Sequence, residues 1–349
     1  MTKTRIGLVG FGVIGKKHAS ALISSQTCEL SAIVDTDPSA ESFAKKHNVK
    51  FYTTLNALFS NTLVDGVVLA TPNSLHAEQA IICAKNKAHV LIEKPIATTK
   101  EEARSIIKTS REEKTQVLSG HYRRFNKQLE KAREIVLSGK IGTLIGVSAI
   151  WAMKKHYEYY NVSWRTQSGG GPILTNLIHD VDCLRWICGD IDEISSHVSN
   201  NTRGHEVEDT AAIALRFKNG ALGTILLSDA APSPWSYEAT TGENKDFAHM
   251  DDCCYRFIGT KGSLDFPLIR IWTYPNENEA AWHFPMLKTQ QLEGAGNPLQ
   301  DQIEHFGKVI RGEEPPRTSG EDGARTLSTT LAIVKAASKK QTVSPDGVE

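Results

Sequence analysis

The sequence predicts an α/β chain of two domains, a doubly wound parallel sheet first and an α+β domain with a largely antiparallel sheet second. Three observations predict it: short Val, Ile and Leu runs alternating with amphipathic helices up to about residue 120, strand-dominated segments after it, and a length of 349 residues. At about 100 to 200 residues per domain, that length suits two. Near-continuous apolar strands separated by helices are what a parallel sheet covered on both faces requires.

Taken in order, residues 5–10 (RIGLVG) are an apolar run closed by glycine, and 16–25 (KKHASALISS) place Ala19, Leu22 and Ile23 on one helical face. Leu30 to Val34 ends at Asp35, and Asp37-Pro38-Ser39 signals the next helix start. The alternation returns as strands at 66–73, 88–95 and 115–122, with helices near 74–86 and 99–114 between them. A helix over about 126–138 and the turn from Gly139 to Gly142 open the second domain. Strands such as TAAIALRF, GALGTILLSD and GSLDFP follow, several joined by short turns such as Lys218-Asn219-Gly220. Helices are expected near 174–188, 299–311 and 321–338, before a polar tail whose end should be mobile. The boundary falls at residue 120, giving domains 1–120 and 121–349, with the alternative that the final helix packs back onto the first domain.

Composition narrows the function. Lys plus Arg and Asp plus Glu are 40 each, so the formal charge is zero and no nucleic-acid footprint is visible. The six cysteines form no C-x-x-C pair and no zinc spacing, which predicts no metal, no disulfide framework and a cytoplasmic setting. The apolar start from Ile6 to Ile14 is too short and too glycine-rich for a membrane span or a signal peptide.

The segment Gly10-Phe11-Gly12-Val13-Ile14-Gly15 fits G-x-G-x-x-G after the first strand and at the start of the first helix. In that setting the first glycine permits the turn, the second lets main chain approach a pyrophosphate, and the helix start supplies free N–H donors. Asp35, 20 residues beyond Gly15, can accept both ribose hydroxyls of NAD and would repel a 2′-phosphate. Thr36 and Asp37 follow it, with no Arg or Lys, so NAD is expected over NADP. The competing reading is a packing turn and an aspartate that only caps.

GFGVIG, ATPNSLHAEQA, EKPIA, GHYRRFN and GGGPILTNLIHDVDCLRW, in this order and spacing, resemble the glucose–fructose oxidoreductase, inositol dehydrogenase and MocA family from about residue 4 through HFGKVIRG and SGEDGARTL. The resemblance implies a Rossmann domain followed by a domain with an open, mostly antiparallel sheet. It also implies hydride transfer between NAD(P) and a secondary alcohol or hemiacetal of a sugar or cyclitol, in dimers or tetramers formed through that sheet. Glu93-Lys94-Pro95 matches the family's EKP, whose lysine contacts the reacting hydroxyl beside the nicotinamide. An ammonium there can polarise the substrate oxygen; a solvated lysine before a proline turn, with a cis Pro95 peptide as an option, is the plainer reading. His179 matches the family's general base, a role suited to imidazole, while a satisfied core histidine is the alternative.

One departure stands out: the position four residues before the histidine, often Asp in the family, is Thr175 here, beside Asn176. Threonine can hydrogen-bond but cannot hold the charge that stabilises imidazolium, so neither the proton relay nor an inositol preference transfers directly. Asp182 suits a substrate hydroxyl or a helix-surface ion pair. Arg124 and Arg165 suit a substrate group, the cofactor or interdomain pairing. Trp151, His156, Tyr157, Tyr159 and Tyr160 offer a carbohydrate surface or a packing interface. Thr71, Pro72 and Asn73 are expected against the ribose, with His76 at the adjoining helix start. Two rival functions remain: an NAD-cycling hydrolase or lyase with no net redox change, and a noncatalytic dinucleotide sensor, against which the presence of both Lys94 and His179 argues.

Overall fold

In the computed structural model, which describes residues 2–347, the early alternation of strands and helices forms a six-stranded, all-parallel sheet. Its strands are β1 (Thr4–Val9), β2 (Cys28–Val34), β3 (Lys50–Tyr52), β4 (Gly66–Leu69), β5 (His89–Ile92) and β6 (Val117–Ser119), in spatial order β3-β2-β1-β4-β5-β6. The intervening helices are α1 (Val13–Ser24), α2 (Pro38–Lys46), α3 (Leu55–Asn61), α4 (His76–Lys85) and α5 (Lys100–Glu113). Ile6, Leu8, Val67, Val68 and Leu69 are wholly buried, as central strands covered on both faces must be. The strand order reverses between β1 and β4, the switch point at whose carboxyl end such sheets bind ligands.

Capping chemistry fixes where the helices begin. Asp37 caps α2 through the Ser39 N–H with Pro38 in the first turn, Thr54 caps α3, and Thr99 with Glu102 forms a capping box on α5. α1 has neither a side-chain cap nor an acidic residue in its first turn.

The chain then forms a second sheet of eight strands. After α6 (Lys127–Leu137) come β7 (Leu144–Ala152), α7 (Ile178–Cys188), β8 (Ile191–Ser199), β9 (Thr210–Phe217), β10 (Leu222–Ser228) and α8 (Tyr237–Thr241). β11 (Tyr255–Gly259), β12 (Gly262–Phe266), β13 (Arg270–Thr273) and β14 (Leu287–Gln290) complete it in the order β14-β13-β12-β11-β7-β10-β9-β8. Every neighbouring pair is antiparallel except β7 with β10. Along β9, Ala211, Ile213, Leu215 and Phe217 are buried while Ala212, Ala214 and Arg216 are exposed, the alternation of a sheet with one face open.

Two helices close the chain, α9 (Pro298–Ile310) and α10 (Gly320–Lys339). The division into units differs here from a single cut at residue 120. One unit comprises the chain up to Phe125 together with Asn297–Leu327, and the other comprises Asn126–Gly296 and Ser328–Asp346. The physical reason is the apolar face of α9: Ile303, Phe306 and Val309 join the core formed by Ile6, Leu8, Leu22 and Cys28. Ser119 and the stretch before α10 are joined too, by the Ser119 N–H to the Thr318 carbonyl at 2.7 Å. Residues 348 and 349, where a mobile tail end is expected, lie outside the described residues. Among the described residues no helix is long and apolar enough to cross a membrane, and no group of three or more His, Cys, Asp or Glu is placed to hold a metal.

Candidate cofactor and substrate sites

In the first unit the glycine loop is built as the spacing requires. Gly10 has φ +90°, and a Cβ there would lie 2.5 Å from the Ala70 carbonyl oxygen. A Cβ on Gly15 would collide with the Gly10 carbonyl oxygen, whereas one on Gly12 would meet nothing within 4 Å. Gly12 is also the residue that precedes the uncapped start of α1. Open space in front of orphan N–H donors and a positive dipole end is what a pyrophosphate needs, so these residues fit a dinucleotide. Phe11 packs its ring on Phe43 at 4.8 Å, Ile14 packs on the same core, and Val13 is exposed.

Asp35 holds the loop to the end of β2. One carboxylate oxygen accepts from the Phe11 N–H at 2.5 Å and the other from the Asp37 N–H at 2.7 Å. A carboxylate has about four acceptor sites, so capacity for ribose hydroxyls remains. Lys16 places its Nζ 5.6 Å from the Phe11 ring. Asp37 is held below the usual carboxylate range, chiefly by the Ser39 hydrogen bonds and in part by the Lys16 charge. A cation therefore stands near this loop, which the inspection of Thr36 and Asp37 alone missed.

After β4, Thr71 donates its hydroxyl to Gln79 at 2.6 Å, and Pro72 and Asn73 are exposed. His76 requires a correction. It is wholly buried, with Nδ1 2.8 Å from the Pro95 carbonyl and Nε2 3.0 Å from the Thr71 carbonyl. Its ring ties the Thr71 loop to the EKP turn and has no face left for a dinucleotide; burial, outweighing those two carbonyls, lowers its pKa.

Glu93 is buried at the end of β5, with Oε1 2.7 Å from Nε2 of the buried His18 and Oε2 accepting from the Lys94 N–H at 3.1 Å. Burial pushes the Glu93 carboxyl up, but His18 and Lys94 together hold it below the usual range. The Lys94–Pro95 peptide is cis. His18 was not singled out in the sequence, since its partner lies 75 residues away. Arg124 follows the pairing alternative: it is buried and bonded through Nη1 to Asp322 at 2.9 Å and to the Arg317 carbonyl at 3.1 Å, all within this unit.

In the second unit, His179 sits in the first turn of α7, 9% exposed, directly after a π turn over Ile173–Leu177. The Thr175 hydroxyl lies 2.9 Å from the Gly171 carbonyl and 3.0 Å from Asn176 Oδ1, sharing its one proton between the two acceptors. Glu208 accepts from the Ile173 N–H at 2.9 Å, and any Cβ on Gly171 would strike that carboxylate, which explains the last glycine of the run. Burial raises the Glu208 carboxyl above its ordinary value.

Beside this turn stands Lys155, which sequence reasoning passed over. Its Nζ lies 2.7 Å from Asn176 Oδ1, 3.4 Å from Asp229 Oδ2 and 4.5 Å from the Tyr159 ring centre. Asp229 also receives Arg203 Nε at 3.0 Å and the Tyr160 hydroxyl at 2.5 Å. Burial lowers the Lys155 pKa against the pull of Asp229, and burial likewise raises Tyr159 and Tyr160. Arg165 stacks on Tyr159 at 4.1 Å and donates to the Tyr159 carbonyl at 2.8 Å. His156 stands at the surface, 73% exposed and 3.1 Å from Glu158. Asp182 is buried, which removes the surface ion pair as its explanation, and neighbouring Asp180 accepts the Tyr255 hydroxyl.

Comparison with known proteins adds a family to these geometries. Residues 4–121 match the model of an oxidoreductase family with an NAD-binding Rossmann fold, and residues 129–265 match the GFO/IDH/MocA C-terminal domain. The chain is 28% identical over 348 residues to myo-inositol 2-dehydrogenase of Thermotoga maritima, covering 97% of this chain and 98% of that protein. It is 31% identical over 248 residues to 2,7-anhydro-N-acetylneuraminate hydratase of Escherichia coli, covering 68% and 64% respectively. The structure of the WlbA dehydrogenase from Bordetella pertussis in complex with NADH and UDP-GlcNAcA superposes with a TM-score of 0.79 at 25% identity, covering 98% of this chain and 99% of that one.

Proposed function

The chain belongs to the GFO/IDH/MocA oxidoreductase family, and from that premise we propose that it is an NAD-dependent dehydrogenase of a sugar, sugar derivative or cyclitol. The observation that carries the reading is the uncapped start of α1 behind the open position at Gly12, in a chain that also has Lys94 and His179. The bound nicotinamide supplies the hydride acceptor. Gly10 to Gly15 hold the pyrophosphate and Asp35 the ribose hydroxyls. The Lys94 ammonium polarises the reacting oxygen, and an imidazole nitrogen of His179 takes the hydroxyl proton. Thr175, Asn176, Arg165 and Asp182 lie in the unit to which we assign substrate recognition. Nearly full-length matches to a myo-inositol dehydrogenase and to an anhydrofructose reductase, beside one of similar length to a hydratase, support a net redox reaction as the first reading. The open face of the eight-stranded sheet, with Leu222 and Leu226 exposed, is the surface we assign to self-association.

The test is reduced-nicotinamide absorbance with NAD and, in parallel, NADP across cyclitols, aldoses, anhydrosugars and sugar acids. A rate with a polyol and NAD is expected. Substrate consumption without net NADH, or no reaction although titration shows NAD binding, would overturn the reading in favour of a closed redox cycle or a sensor.

A further inference from the structure

We propose that Lys155 is a positioning residue for His179: its buried ammonium fixes Asn176, and through it the π turn from which the imidazole is held. The inference rests on the role given to His179 above. A π turn contains an extra residue relative to an α turn, is rarely longer than one turn, and concentrates at functional sites. Such a turn needs restraint from outside its own backbone.

The structure supplies that restraint at two places. Glu208 takes the Ile173 N–H at the start of the turn. Near its end, Asn176 Oδ1 accepts from Lys155 Nζ at 2.7 Å and from the Thr175 hydroxyl at 3.0 Å, which uses both of its lone pairs. Asn176 lies in that turn, three residues before His179 in the first turn of α7.

Lys155 is itself fixed rather than mobile. Its side chain is 9% exposed, and Asp229, 2% exposed, faces it at 3.4 Å. Arg203 bonds Asp229 through Nε at 3.0 Å and reaches back to the Lys155 carbonyl through Nη2 at 3.1 Å. The Lys155 N–H donates to the Asp229 carbonyl at 2.9 Å. The ammonium thus stands at the end of a closed chain of bonds, aimed at one amide oxygen. A buried ion pair is weak support for stability and its retention is better matched to fixing one arrangement.

Lys155→Met keeps the stem and removes the ammonium. In this variant NAD affinity is expected to stay within about twofold, amide exchange in the peptide spanning residues 171–180 to accelerate about tenfold, and kcat to fall about 100-fold with little change in KM. Lys155→Arg, which keeps a cation and N–H donors, should recover most of the loss, and Lys154→Met, at an exposed neighbour, should change nothing. Combining Lys155→Met with Asn176→Leu should give losses in kcat that do not multiply, because the Lys155–Asn176 bond is shared by both changes, although Asn176→Leu also removes the Thr175 contact. Unchanged exchange in the segment, or losses that multiply in the double variant, would overturn the proposal. If Lys155→Met does not fold, Asn176→Leu carries the exchange test. If the wild type oxidises nothing in the panel, the functional reading fails, and exchange alone decides the positioning of the turn.

Discussion

The two units hold their reactive groups by different means. In the first, main chain does most of the holding: Asp35 accepts two backbone N–H groups, His76 spans two backbone carbonyls, and Glu93 takes the Lys94 N–H while its other oxygen meets His18. In the second, side chain holds side chain, with Lys155, Asn176, Arg203 and Asp229 meeting from four separate segments. Main-chain sites depend on local conformation and so on glycine; side-chain networks depend on long-range assembly and on pairing charge inside the protein.

The strongest way to test that division is to remove one group from each unit. Lys94→Ala and His179→Ala should each lower kcat/KM by about two to four orders of magnitude, while His179→Ala leaves NAD affinity intact in a direct titration. Next in size are paired glycine changes. Gly15→Ala forces a Cβ into the Gly10 carbonyl and should cost about 3 kcal/mol in chemical denaturation and abolish NAD binding. Gly171→Ala meets only a carboxylate that can swing aside, so it should retain NAD binding and lose turnover about tenfold.

Asp35→Asn places an amide against two N–H donors and removes the charge opposed to a 2′-phosphate. The NADP-to-NAD ratio of kcat/KM should rise about tenfold, with Lys16 as the nearby cation. The smallest effects are opposite pH trends. Glu93 is shifted down, so its stabilisation is present above the ordinary value of 4.5 and is lost as pH falls through the depressed one. Glu93→Gln should therefore be most destabilising near neutrality and converge on wild type in acid. Glu208 is shifted up, so the folded form binds the extra proton and stability declines as pH rises above 4.5. The melting temperature of Glu208→Gln relative to wild type should improve from about pH 5 to about pH 8; parallel trends in both variants would break the comparison.

This contrast also explains what was legible in the sequence. Five strands of the first sheet and the glycine loop are written in contiguous residues whose period and spacing carry the conformation, whereas β3, three residues long, is too short to show a period, and α3 after it was not expected either. His18 was not legible, because nothing near it in sequence indicates Glu93. Lys155 was not legible either, because it lies three residues past the end of β7 at Ala152, where the alternation of Val147, Ala149 and Trp151 no longer says which side chain turns inward. Beside Lys154 and His156 it passes for a solvated lysine. Arg124 and His156 stayed open between alternatives for the reverse reason, since residue type alone does not say whether a guanidinium meets Asp322 or an imidazole meets water. The place of α9 was illegible because an apolar stripe shows that a helix is covered, not by what.

That helix has a consequence for synthesis. The strands of the first sheet are complete by Ser119, yet Ile303, Phe306 and Val309, which finish their core, are added only after Asn126–Gly296 has been made. At roughly 5 to 20 residues per second the nascent sheet waits on the order of ten seconds with the apolar surface around Leu8, Leu22 and Cys28 uncovered. During that interval the growing chain presents the kind of apolar surface that chaperones shield, and a chain truncated before α9 is expected to aggregate.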